Sequence, residues 1–294
     1  SMATKYSRGD LTFHIVNYVI LAITALLCIL PFIHVVALSF SSGGAADRAA
    51  VSLWPVEPTF NSYRYAFQKK EFLVAYWNTI KRVLVGVTVA MSLNVLTAYP
   101  LSKTKAAFPG RTVIAWYFVV TMLVSGGMIP TYLIVSWTGL RNTIWALIVP
   151  GVSAFNVTLL LNFFRQIPKD LEESAYLDGA GPWRIMAMIY VPLSTAALAT
   201  LTIFNTVWHW NEWFQGLIYM DNIKNYPLQT YLQGIIIQPD FDMLDVHQIE
   251  LMMSISRRTF NAAQIMIATV PIILVYPFMQ RYFVKGLTVG SLKG

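Results

Sequence analysis

"DLEESAYLDGAGPWRIMAMIYVP", Asp170 to Pro192, is a charged, glycine-broken segment set between long apolar runs. Asp170 stands at an N-cap position with Glu173 three residues on, the spacing of a capping box. Glu172 and Glu173 then fall in a first turn, where the helix dipole favours negative charge. Gly179 supplies a left-handed stop, and Gly181-Pro182 confirm the break. The pattern predicts a helix of about eight residues, about 12 Å long. Alone in water a helix that short is marginal, so it must dock on something. Leu171, Ser174 and Ala175 share a face, and two of them are small enough for close approach. Docking on its own chain and docking on another protein both satisfy this pattern.

The surroundings of the segment set its context. The chain of 294 residues is 56% hydrophobic and 12% charged, against about 25% charged in soluble domains. Apolar runs occupy approximately Ile15–Phe40, Asn78–Leu101, Thr112–Thr138, Asn142–Phe164, Leu193–Met220 and Ala262–Phe283. Such runs read as transmembrane helices. The expected architecture is all-α: one polytopic membrane domain, 1–294, with six helices and a polar loop over 168–192. The first run exceeds the core of a signal peptide, about 7–15 residues, and reads as a retained helix. Ser1-Met2 reads as a cleavage scar. The third run is interrupted by "SGGMIP", Ser125 to Pro130, which implies a kink or a close helix approach. The stretches Ser41–Tyr76 and Asp221–Phe260 are expected outside the bilayer.

Six helices place both termini on one side. Lys103, Lys105 and Arg111 lie in one short loop without an acid, and Arg165, Lys169 and Arg184 surround the opening segment. With Lys5, Arg8, Arg281, Lys285 and Lys293 they assign that side to the cytoplasm. Lys69, Lys70, Lys81, Arg82, Arg257 and Arg258 fall on the opposite side, mostly in longer loops, where the rule is weaker. The net charge of +7 is thus accounted for by loops, without nucleic acid. Cys28 lies in the first apolar run as a small filler. His14, His34, His209 and His247 lack ligand-like spacing, so no metal site is expected. Gly-x-x-x-x-Gly-Lys-Ser/Thr is absent, so ATP binding of the P-loop kind is not expected in this chain.

The fifth run carries "NTVWHWNEWF", Asn205 to Phe214. Asn205, Trp208, His209 and Glu212 share a helical face, with Asn211 beside them. An ionisable group within a span usually faces the bundle interior or a wet cavity. These residues are candidates for a substrate pathway, and they suit helix–helix hydrogen bonding equally well. Trp210 and Trp213 read as interfacial anchors.

Glu173-Ser174-Ala175, then Gly179 after three residues, then Ile189 and Val191-Pro192 after nine more, resembles the signature loop of ABC importer permeases. The family pattern is Glu-Ala-Ala, three residues, Gly, nine residues, Ile-x-Leu-Pro. Ser174 and Val191 are mild departures. "LDGAGPW", "WNEWF" and the ending "GLTVGSLKG" are similar to the carbohydrate branch, so the resemblance covers most of the chain. It implies a type I importer permease fold in which the short helix seats in a separate ATPase subunit. By resemblance Glu172, Glu173, Ala175, Leu177, Asp178 and Gly179 carry that coupling.

The same resemblance implies a second permease subunit, two ATPase subunits that bind ATP and Mg, an external solute-binding protein, and no cofactor in this chain. It also implies an oligosaccharide cargo, with acidic oligomers such as alginate fragments included. The outer-side arginines and lysines, with His209, would suit an acidic sugar. An ion-driven secondary transporter would instead carry paired intramembrane carboxylates and internal repeats. A membrane enzyme would need a nucleophile–base or metal constellation.

Overall fold

The computed structural model describes residues 8–237 and 255–291. The described residues contain helices and no strand. The helices are α1 (Arg8–Ser39), α2 (Gly43–Asp47), α3 (Asn61–Gln68), α4 (Lys70–Ser102), α5 (Arg111–Leu123), α6 (Met128–Trp137) and α7 (Ala154–Arg165). They continue with α8 (Lys169–Leu177), α9 (Pro182–Ile185), α10 (Val191–Leu193), α11 (Thr195–Asn211), α12 (Phe214–Tyr219), α13 (Leu228–Ile237) and α14 (Arg257–Ser291). A π-helical turn, Met186–Tyr190, joins α9 to α10.

Two compact units divide the chain. The first contains Ser1–Lys69 and Gln238–Thr269. Here Ala37, Ala45 and Val51 form a small core at the end of α1. Ser41 donates to the Ala37 carbonyl (2.7 Å) and accepts from the Val56 amide (3.0 Å), which folds the post-α1 loop back on the helix. The Tyr65 ring meets Phe260 edge-on at 5.1 Å. The body of α1 is apolar all round, and none of its spanning window is buried within the chain. A helix with no polar face and no protein cover fits a lipid-facing span.

The second unit contains Lys70–Ile237 and Val270–Gly294. Its axis is α4, which packs on α7 and α11. Ala75, Thr79, Arg82, Gly86, Ala90, Asn94 and Ala98 form the buried stripe of α4 at spacings of three and four. All but Arg82 are small or short, which lets the neighbouring backbones come close. The main core joins Tyr99 and Leu101 of α4 to Leu160 and Phe164 of α7, Ile185 and Tyr190, and Leu201 of α11.

Among the described residues, three helices are long and apolar enough to cross a membrane: α1 over Thr12–Ser39, α4, and α14 over Arg257–Val275. Two bent pairs make further crossings if each is one span. The turns Ile144–Gly151 meet α7 at 51°, and Pro182–Leu193 meets α11 at 81°. The third apolar run is two short helices, α5 and α6, separated at residues 124–127, so the Gly-Gly interruption is a break.

The structure moves several expected boundaries. Lys70 was expected in an outer loop, with Lys81 and Arg82 on that side at the start of the second run, but α4 begins at Lys70 and Arg82 is fully buried within it. The fifth run was expected to continue through Glu212, but α11 ends at Asn211 and the chain turns extended at Glu212 (φ −71°, ψ 110°). Loop pairing follows the alternating topology. Lys103 meets the 165–190 segment, while Asn142 and Asp221 bond each other at the far side of their spans.

Candidate functional site

The short helix predicted from the opening segment is α8. It starts two residues earlier than the capping pattern implies. Pro168 is the N-cap (φ −57°, ψ 131°) without a side-chain cap bond, and Asp170 lies within the first turn. A proline biases the residue before it away from helix, so the helix starts just after Pro168. Asp170 and Glu172 then act through the dipole, not as a capping box.

The C-terminal end is as the sequence predicts. Gly179 takes φ +77°. Its N–H bonds the Tyr176 carbonyl (3.0 Å), and the Ala180 N–H bonds the Ala175 carbonyl (2.9 Å). Those two bonds constitute a Schellman motif.

The two adjacent glutamates point to different environments. Glu172 turns inward, accepting from Lys103 Nζ at 2.7 Å and from the Tyr190 hydroxyl at 2.5 Å. Its side chain is 15% exposed and that of Lys103 12%. The Lys103 ammonium lies 3.9 Å from the Tyr99 ring centroid and 4.0 Å from that of Tyr190, within cation–π range. Burial alone would raise the Glu172 pKa. The hydrogen bonds from Lys103 and Tyr190, with the Lys103 charge, outweigh burial and hold it below the ordinary carboxylate value. Burial lowers the Lys103 pKa, and Glu172 offsets only part of that.

Ala175 packs inward on the main core. Glu173, Leu177 and Asp178 are exposed, Leu177 at 89%, and Trp183 beyond the break is 71% exposed. The inner face of α8 is therefore Glu172 and Ala175, and the outer face is Glu173, Leu177 and Asp178. Lys103 and Tyr190 are site residues that sequence reasoning did not assign. A lysine just past a span, opposite an acidic pair in the next loop on the same side, was the available signal.

The pathway candidates on α11 occupy varied surroundings. Asn205 is buried and donates to the Leu201 carbonyl of its own helix (2.8 Å). His209 is 1% exposed and fits against Gly86 of α4, where a Cβ would stand 2.5 Å from its Nε2. The Trp208 ring meets His209 edge-on at 4.8 Å and covers Gly151. Asn211 is exposed. Glu212 Oε1 accepts from the Phe214 and Gln215 amides at 2.8 and 3.1 Å, so its carboxylate serves the start of α12. Trp210, expected as an interfacial anchor, is buried and meets Tyr76 edge-on at 5.9 Å.

Arg82 holds this junction together. Its guanidinium donates to the Glu212 carbonyl (2.8 Å) and to Gln215 Oε1 (2.7 Å), and lies 5.5 Å from the Trp208 ring centroid. Among the described residues it has no carboxylate at ion-pair distance.

At the other end of the spans Asp221 bonds Arg141 Nη2 (2.5 Å) and Asn142 Nδ2 (2.6 Å). The Asn142 hydrogen bond chiefly, and the Arg141 charge, hold its pKa below the ordinary value. The acidic run near Asp240–Asp245 lies outside the described residues.

Among the described residues the fold is a bundle of apolar helices, some long enough to cross a membrane, that carries a short helix with an exposed outer face. The model of the family described as binding-protein-dependent transport system inner membrane component matches residues 2–289. The chain is 38% identical over 287 residues to the polygalacturonan/rhamnogalacturonan transport system permease protein YtcP of Bacillus subtilis (strain 168), covering 96% of this chain and 98% of that one. It is 35% identical over 289 residues to protein LplC of the same organism, covering 98% and 97%.

A solved chain from a bacterial ABC transporter involved in the import of the acidic polysaccharide alginate matches with a TM-score of 0.88 and 34% identity. That match covers 96% of this chain and 100% of the other. A chain from the bacterial alginate ABC transporter in complex with alginate pentasaccharide-bound periplasmic protein, at 16% identity and a TM-score of 0.57, shares the fold. The chain belongs to the binding-protein-dependent transport system inner membrane component family, and is a membrane-embedded ABC transporter permease with the type I importer fold.

Proposed function

We propose that this chain is a permease subunit of an ATP-driven oligosaccharide importer whose cargo is acidic, with α8 as the element that receives the ATPase subunits' motion. The outward face of α8 carries the reading. Glu173, Leu177 and Asp178 are offered to solvent on a helix locked in angle by the Gly179 stop. Glutamate there can make charge-assisted bonds to a basic partner, and exposed Leu177 has apolar surface to bury. ATP and Mg are then held by two separate ATPase subunits. A second permease completes the pathway, and an external binding protein delivers cargo.

Both termini would be cytoplasmic, with Lys103, Arg111 and Arg165 at the same membrane edge. The acidic cargo rests on the relatives. Polygalacturonan and alginate are both uronic-acid polymers, and those proteins are 38% and 34% identical to this chain. Arg82 and His209 lend it no direct support, because both are buried in helix packing.

The test is the importer reconstituted in proteoliposomes with its binding protein. Uronic-acid oligosaccharides should stimulate ATP hydrolysis, and neutral ones of equal length should not. The reverse pattern would reject the acidic cargo. Gly179→Val should abolish ATP-coupled uptake while the chain still inserts, because a β-branched residue resists φ +77°. Normal uptake by that variant would reject the coupling role.

A further inference from the structure

The helix α8 is tied to the spans by the chain at both ends, back to α7 through residues 166–168 and on through Gly179 to Pro182, and by side-chain contacts. Its hold on the bundle is Ala175 in the core and Glu172 on Lys103. Lys103 directly follows α4, whose last turns carry Tyr99 and Leu101 in that same core. The ammonium is fixed from two sides by Tyr99 and Tyr190, whose rings meet edge-on at 5.0 Å. Tyr190 also holds the second carboxylate oxygen and meets Phe164 of α7 edge-on at 5.4 Å. Every group in this cluster is thus held by at least two others. The carboxylate and the ammonium are both bonded and shielded, which holds them more firmly than a solvent-exposed ion pair.

We propose that Lys103 and Glu172 are a positioning pair that makes α8 and the end of α4 move as one body, so that displacement of α8 reaches the central helix directly. This rests on the coupling role of α8 proposed above. The pair does not touch cargo or nucleotide. It sets where the docking helix stands relative to the axis of the bundle. Glu173, one residue on, is left free for the partner.

The experiment uses the full importer carrying Cys28→Ser. Lys103→Cys and Glu172→Cys are joined by a short bis-maleimide, and uptake per ATP hydrolysed is measured before and after joining. The unjoined double variant lacks the pair and should start about tenfold low; if α8 and α4 move together, joining should raise that ratio, and a ratio that stays low would count against the proposal. A loss of tenfold or more on joining would show that they separate during the cycle and would overturn the proposal.

The unlinked variants Lys103→Met and Glu172→Gln should keep the ATPase subunits through purification but lower uptake per ATP about tenfold. Lys103→Arg, which retains the pair, should restore it. Unchanged uptake per ATP in both unlinked variants would also overturn the proposal. Failure of the unaltered chain to co-purify with any ATPase would instead reject the underlying coupling reading.

Discussion

Two buried cations anchor the larger unit, and they are satisfied in opposite ways. Lys103 meets a carboxylate at the membrane edge, with aromatic rings on both sides. Arg82 lies within a span and meets only neutral oxygens: a backbone carbonyl at the end of α11 and an amide of Gln215. The first arrangement contains a group that titrates, so it responds to pH and to a neighbouring partner. The second contains permanent dipoles. The carbonyl it uses is one that the helix break leaves without an intrahelical donor, at the negative end of the macrodipole. Arg82 is therefore a pin for the α11–α12 junction, whereas Lys103 is part of a rigid but titratable joint between α8 and the end of α4.

This contrast can be broken experimentally. The largest effect is expected at the pin. Arg82→Ala leaves two buried acceptors without a donor and a void beside Trp208, and should destabilise the detergent-solubilised protein by about 3 kcal/mol. Thermal unfolding followed by tryptophan fluorescence would measure it. Arg82→Met restores the volume but not the donors. If Met recovers more than half the loss, packing is the larger part of the role of Arg82 and the pin description fails.

The joint should give a smaller change with a pH signature. Lys103→Met leaves Glu172 shielded and unpaired, worth about 2 kcal/mol, below the full burial value because the site is at the edge. In the unaltered protein the Glu172 pKa is depressed. Its contribution is therefore complete above the ordinary carboxylate value of 4.5 and is lost as pH falls through the lower folded value. Stability of the unaltered protein should fall on acidification below that value, and the Lys103→Met variant should lack that part of the loss. Parallel pH profiles would remove Glu172 from the account.

The smallest effect belongs to the Arg141–Asp221 contact, whose side chains are 37% and 59% exposed. Arg141→Ala should leave the melting temperature unchanged within error at physiological salt, since exposed pairs are screened and entropically opposed. A shift of several degrees would mean that this end is as tightly built as the other.

Legibility in the sequence followed the range of the interactions. The helical, apolar character of the chain was readable because apolar surface is a local property, whereas the extent of the breaks was not: among the described residues the third run is two short helices. The α8 stop was readable because a positive φ is a demand on one residue, met by Gly179. The break at Glu212 was not. No glycine or proline stands there, and its carbonyl is taken by Arg82, 130 residues away in the chain. The same holds for Glu172 and Glu173. Helical spacing places them 100° apart, but only the position of Lys103 decides which turns inward. The polar set on α11 looked like one face. Folding distributed it between a fit against Gly86, a backbone hydrogen bond and the start of α12.

The spanning part of α1 has one further implication. Since none of that window is buried against the described residues, the order of its residues has little to do within its own unit; length and oiliness suffice for a span. The helix is in that sense a plain anchor line, and selection on its individual letters must come from whatever lies against it in the membrane.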